Sequence, residues 1–319
     1  ETTLGQNLSS NKKMLVTPMQ SSAAGSVNWC VDYLQSSLNG LWGDYLSRHN
    51  SALDPGMTLR HDGRAIALDA NSLASAFETP TNKICVFVHG LASTEWLWTF
   101  SSAHHYDGDS AVSYGSRLCD DLGYTPVYIR YNTGKHISDN GQQLAALIET
   151  LVKLFPTPVE EVALVGHSMG GLVARSAASY GRDNKLGWVS RLAHVACIGA
   201  PNLGAPLEKG VNLLSGALLY VDAAAAQVSR TVLNSRSSGI KDLRYGYTLG
   251  DEWQGTDTDA PFSNARLNVP LPDDVPYYFI AAVLTKNPDN PVGKLIGDLL
   301  VRQPSASGNT ANPRRRIPF

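Results

Sequence analysis

Long hydrophobic runs are missing from this chain of 319 residues. No stretch approaches the ~20 consecutive apolar residues that a membrane-spanning helix needs. An excess of one charge is missing too. Lys and Arg number 26 against 28 Asp and Glu, a net charge of −2, so there is no electrostatic ground for expecting nucleic acid as a partner. The short basic cluster Arg314-Arg315-Arg316 reads as a solvated end. Cysteine is sparse. Cys30, Cys85, Cys119 and Cys197 form no C-x-x-C pair, which argues against a zinc or redox motif. Cys85 and Cys197 sit inside apolar runs and read as small buried hydrophobes. Such unpaired thiols favour a reducing, cytoplasmic compartment. No internal repeat, low-complexity block or Pro/Gly-rich linker divides the chain. The chain shows no signal-peptide pattern, begins with Glu1 and stops at "RRRIPF", so both ends are expected to be cut.

What is present is an alternation of strand-like and helix-like segments. Residues 1–25 are small and polar, a flexible lead-in. Over 27–46, Val31, Leu34, Leu38, Leu41, Trp42 and Tyr45 fall at helical spacing and predict an amphipathic helix that packs on a core. "TLRHDGRAIAL" (58–68) turns around His61-Asp62-Gly63 as a hairpin. Strands are expected at 83–90, 125–134, 159–166, 191–201 and 275–284. Helices are expected at 111–123, 139–155 and 170–181. The helix at 139–155 places Leu144, Leu147, Ile148, Leu151, Val152 and Phe155 on one stripe. This order predicts βαβ units, an α/β fold with a mainly parallel sheet and helices on both faces. The expected organisation is one domain over 26–319, interrupted at about 207–275 by a long lid-like insertion. A helix-like stretch with Val211, Leu214, Leu218 and Val221 on one side falls inside that insertion.

The stretch "VALVGHSMGGLV" (162–173) places Ser168 at the turn from a strand into a helix. That context turns a weak G-x-S-x-G pattern into a nucleophile elbow. Bulky side chains at 166 and 170 would collide with neighbouring backbone, and glycine avoids this. Ser168 would stand at a helix N-terminus, where negative charge is favoured. Acyl transfer also needs donors for the tetrahedral oxyanion. The N–H of Met169, directly after the nucleophile, is one candidate. The N–H of Leu91, in the loop after "VFVHG", is the other. His89 reads as a structural part of that loop rather than the base.

With these residues in place the chain resembles lipase-like and esterase-like members of the α/β-hydrolase superfamily. "HGLAS" is similar to their oxyanion loop, "GHSMGG" to their nucleophile motif, and "GAPNLGAP" (199–206) to a segment after the next strand. The resemblance covers residues 80–205 firmly and 275–306 more loosely. It implies a triad in the order Ser, acid, His. "GDLLVRQPSAS" (297–307) is similar to the acid loop and points to Asp298, with Asp289 in "NPDNP" as the competing choice and Asp251 a distant third. The resemblance implies a histidine after the acid, and here the sequence departs from it. Of His49, His61, His89, His104, His105, His136, His167 and His194, only His194 follows Ser168, and it falls early in its strand. His104, His105 and His136 lie in loops that order alone does not exclude. Two explanations compete: a chain that stops before its histidine, which the intact elbow favours, and an inactive protein that keeps the fold.

The implied activity is carboxylic ester hydrolysis through an acyl-enzyme, with no metal or organic cofactor. Leu91, Trp96, Leu97, Trp98 and Phe100 follow the oxyanion loop and would either line an acyl pocket or pack locally. Trp96 and Trp98 are the substrate-binding candidates. The expected partner is a small-molecule ester or lipid, with transient contact at a lipid interface. Acyltransferase and thioesterase chemistry use the same parts, and an inactive lipid-binding or scaffold protein is the alternative of another class.

Overall fold

The structure is a computed structural model. It describes residues 29–205 and 237–255, together with 267, 269, 271, 272, 274–281, 301, 303–309 and 317. The lead-in 1–25, the stretch 211–221, Asp289, Asp298 and Arg314–Arg316 lie outside the described residues.

The chain enters through α1 (Trp29–Arg48), whose backbone departs from helical geometry at Trp42 (φ −131°, ψ 17°). The hairpin β1 (Met57–His61) and β2 (Arg64–Ile66) follows. Asp62 and Gly63 both take positive φ (47° and 73°), the requirement of a two-residue turn that matches strand twist. After α2 (Ala70–Ala76) the strand-helix alternation begins. It runs β3 (Lys83–Val88), a 3₁₀ turn Glu95–Thr99, the short α3 (Ser102–His105), α4 (Tyr114–Leu122) and β4 (Thr125–Tyr131). It continues with α5 (Ile137–Leu154), β5 (Glu161–His167), α6 (Met169–Asp183) and β6 (Leu192–Ile198). Among the described residues α7 (Ser238–Tyr245), β7 (Tyr277–Ile280) and α8 (Gln303–Ala306) complete the fold.

Among the described residues the strands form one seven-stranded sheet in the order β2-β1-β4-β3-β5-β6-β7. The hairpin joins β4 antiparallel, and β4, β3, β5, β6 and β7 are mutually parallel. The expected α/β architecture is therefore present. Parallel central strands bury both faces, which is why they read as continuous apolar runs rather than alternating ones. In β3, Ile84, Val86 and Val88 enter the main core, while Cys85 and Phe87 enter a smaller cluster on the other face. Cys85 and Cys197 are buried free thiols, as their apolar surroundings predict.

The stripe read on α5 is the one the fold uses. Leu144, Ile148, Leu151 and Phe155 are buried in the main core, and Leu147 and Val152 pack against it. Ser113 caps the start of α4, and Gly123 closes it in the left-handed conformation (φ 73°). Besides the four-residue α3 and α8, two longer helices were not read from the sequence, α2 and α7. The second lies within the long segment between 207 and 275. Its Ile240 is buried in the main core, so residues 237–255 are built into the body of the domain.

All parallel strands deliver their C-terminal ends to one edge of the sheet. The loops after β3, β4, β5 and β6 meet there, and in open α/β sheets that edge is where ligands are bound.

Candidate active site

Ser168 stands at that edge, between β5 and α6. Its backbone (φ 52°, ψ −121°) lies outside the regions open to ordinary L-residues. Such strain persists only where the surroundings enforce it. Here they do. The Ser168 N–H donates to the Ile198 carbonyl of β6 (2.8 Å), and the Ser168 carbonyl accepts from Gly171 N–H (3.0 Å). The flanking glycines leave the room that the turn needs. A Cβ on Gly166 would overlap the Gly170 carbonyl, and a Cβ on Gly170 would overlap the Val88 carbonyl oxygen and lie 2.5 Å from that of His89. The collision anticipated from the sequence is thus with backbone, which has no flexible end to move aside. Ser168 is partly exposed, and it caps a helix of 15 residues whose N-terminal dipole favours negative charge.

The loop after β3 lies against the elbow. A Cβ built on Gly90 would meet the Ser168 Cβ at 3.1 Å and the His167 carbonyl oxygen at 3.3 Å. His89 sets the direction of the next peptide. Its ring is buried, stacks on Tyr131 at 4.5 Å, and places Nδ1 2.9 Å from the Gly90 carbonyl and Nε2 3.4 Å from the Tyr131 N–H. A carbonyl only accepts, so Nδ1 carries the proton and Nε2 accepts. The Gly90 carbonyl also accepts from Ser93 N–H (3.3 Å). In a trans peptide the C=O and the following N–H point in opposite directions. With the Gly90 carbonyl turned to His89, the Leu91 N–H points away from it. Among the described residues neither the Leu91 nor the Met169 N–H has an acceptor. Two unpaired donors beside a partly exposed serine can receive an oxyanion.

With both ring nitrogens occupied, His89 is structural and cannot take a proton from Ser168. Burial drives its pKa from 6.5 down to about 4. Above pH 6.5 both folded and unfolded states hold a neutral ring, and no stability is lost. As the pH falls from 6.5 to 4 the unfolded chain takes up a proton that the folded ring refuses, a loss of about 3 kcal/mol by linkage. Calorimetry should show Tm falling over this range, with a shallower fall in His89→Asn.

All eight histidines lie among the described residues, and the Ser168 hydroxyl hydrogen-bonds to none of them. His194 is in register with Ala163, well below the elbow, and its ring faces Tyr278. His136 has a buried carboxylate partner. Its Nδ1 is 3.1 Å from both oxygens of Asp242, and its ring stacks flat on Trp253 at 3.6 Å. Asp242 also accepts from Ile137 N–H (2.8 Å), so this pair fastens α7 to the head of α5. Burial pushes the Asp242 carboxyl up, against the opposing hydrogen bond from His136. Asp251 sits next to Gly250, whose N–H donates to the Tyr180 hydroxyl. Tyr180 is twelve residues along α6 from Ser168, roughly 18 Å at helical rise, which keeps Asp251 away from the elbow.

The structure brings Ser168, Met169 and the Leu91 loop together. Trp98 is 3% exposed and packs edge-on against Phe87 at 4.9 Å. Trp96 donates its indole N–H to Asp32 (3.2 Å). Both are engaged in local packing. The groove bordered by Lys83, Glu160, Glu161 and Arg191 opens at the starts of β3, β5 and β6, the edge opposite Ser168. Sequence reading missed the fastening of the loop after β3 by Arg130, Glu95, Asp32 and Thr133. No local pattern marks these residues, which come from separate elements.

Residues 127–266 match the family model described as PGAP1-like alpha/beta domain. Among solved structures the chain is similar to the Bacillus licheniformis lipase BlEst2 in mature form, at 20% identity over 75% of this chain and 84% of that chain, with a TM-score of 0.43. It is also similar to the Pyrococcus furiosus esterase Pf2001, at 15% identity over 50% of this chain and 53% of that one, with a TM-score of 0.32. No curated protein matches it. The strand order and the elbow carry the assignment of fold, and the family match agrees with them. The chain has the α/β-hydrolase fold, with the PGAP1-like alpha/beta domain match spanning its central residues 127–266.

Proposed function

We propose that this protein is a serine hydrolase of carboxylic esters, with lipid or acyl esters as the substrate class. The observation that carries the reading is the strained Ser168 at the head of α6, beside the N–H groups of Leu91 and Met169, which have no acceptor among the described residues. In this mechanism Ser168 Oγ attacks the ester carbonyl carbon while its proton passes to a base. The carbonyl π pair becomes an oxyanion held by the Leu91 and Met169 N–H groups. Collapse breaks the ester C–O bond, and the departing alkoxide takes the proton from the protonated base. Water then repeats the sequence on the acyl-enzyme and releases the acid. We assign Asp298 to orient the base, a histidine by analogy with the superfamily. In this reading Trp96 and Trp98 border the acyl site.

A second reading, an inactive lipid-binding protein, draws on one observation: no histidine is bonded to Ser168. A panel of nitrophenyl esters from short to long acyl chains separates the two. Turnover that rises with acyl length and disappears in Asp298→Asn supports the hydrolase and its acid. Saturable binding of long-chain esters without turnover supports the inactive protein.

A further inference from the structure

The oxyanion loop is fastened at almost every residue, and the fastening converges on one guanidinium. Ala92 takes a positive φ of 53°, unusual for a residue with a Cβ, immediately after the proposed donor Leu91. Left alone, that backbone would relax and swing the Leu91 N–H. The Ala92 N–H is held by the Thr133 hydroxyl (3.2 Å), and the Ser36 hydroxyl of α1 donates to the Ser93 carbonyl. Glu95 is 6% exposed and takes two hydrogen bonds from Arg130, at 2.7 Å from Nε and 2.6 Å from Nη2, and a third from Arg60 at 3.1 Å. Arg130 turns its other edge to Asp32 of α1, with Nη1 at 2.6 Å and Nη2 at 2.8 Å. Asp32 in turn receives the Trp96 indole.

Arg130 thus grips one carboxylate from the loop and one from α1, in both cases through two nitrogens. Two carboxylates and two guanidinium groups balance in charge, and Arg130 is itself buried. Burial works against its charge, yet the bonds to Asp32 and Glu95 more than offset this and hold its pKa up. A buried ion pair is weak evidence for stability, because desolvation consumes much of the attraction. Its planar fork does fix geometry, and an ammonium cannot reproduce that. On the reading that Ser168 is the nucleophile and Leu91 an oxyanion donor, we propose that Arg130 is a positioning residue: it clamps the loop 91–96 to α1 and so aims the Leu91 N–H at the developing oxyanion.

The test is Arg130→Lys in the full chain, which keeps the charge and loses the fork. Two readouts are used, steady-state hydrolysis of a nitrophenyl ester and amide hydrogen exchange by peptide. The expected result is a fall in kcat of about tenfold or more with KM changed less than threefold. Exchange within 90–96 should quicken at least tenfold, with β5 and α6 unchanged. Glu95→Gln supplies the same two measurements should Arg130→Lys not fold. Wild-type exchange in 90–96 would overturn the clamp, as would exchange that quickens equally in β5 and α6. A loosened loop with unchanged kcat would overturn its role in catalysis. Ser168→Ala run in parallel keeps the two readings apart. Undiminished turnover in that variant sinks the hydrolase reading, while exchange still decides whether Arg130 holds the loop.

Discussion

Ser168→Ala is expected to lower ester hydrolysis by about a thousandfold or more, with the thermal unfolding of the protein unchanged. Removing the nucleophile of such a constellation leaves only what binding and the oxyanion donors achieve, a loss on the order of 10³ to 10⁶ in kcat. The stability should not suffer. Among the described residues Ser168 Oγ has no hydrogen-bond partner, so its removal orphans none of them. Alanine also keeps the Cβ that the strained backbone already accommodates. A fall in activity together with a fall in Tm would instead mean that the hydroxyl holds the elbow. The two readouts, kcat by continuous nitrophenolate release and Tm by calorimetry, therefore separate chemistry from folding.

The second large effect is structural. Gly170→Ala should destabilise the protein by about 3 kcal/mol or more, because its Cβ would be driven into backbone at the end of β3. The atoms it would strike are the Val88 and His89 carbonyl oxygens. Relief requires α6 to withdraw from the sheet, and the elbow and the loop after β3 would part with it. Gly187→Ala is the matched control. Its Cβ would meet only the end of the Glu149 side chain, at 3.5 Å, so its unfolding midpoint in urea should stay close to that of the parent. Equal midpoints for both variants would show that the close approach at Gly170 is not a constraint.

These two positions were legible in the sequence because local rules act over a few residues. A strand ending in Gly-x-Ser-x-Gly before a helix has few ways to turn. The same holds for Asp62-Gly63 in the hairpin and for the apolar stripe of α5. Helix α7 was harder to read. Ser237 caps it and Gly246 (φ 72°) closes it, but "SGIKDLRY" has too few apolar residues to mark a face by period. The kink of α1 at Trp42 had no proline to announce it. The fastening of the loop after β3 was out of reach for another reason. Arg130 and Asp32 are 98 positions apart, and Arg130 and Glu95 are 35 apart. Only the tertiary fold, which sets β4 beside β3 and brings Asp32 of α1 to Arg130, joins them. The acid is a different matter: Asp298 stands on motif resemblance, outside the described residues.

The central claim is that Ser168 is a reactive nucleophile, and covalent trapping tests it most directly. The protein is treated with an alkyl fluorophosphonate, digested, and its peptides are weighed. One adduct per chain is expected, carried by the peptide containing "GHSMGG" and missing in Ser168→Ala. An adduct on another residue, or equal labelling of Ser168→Ala, would contradict it.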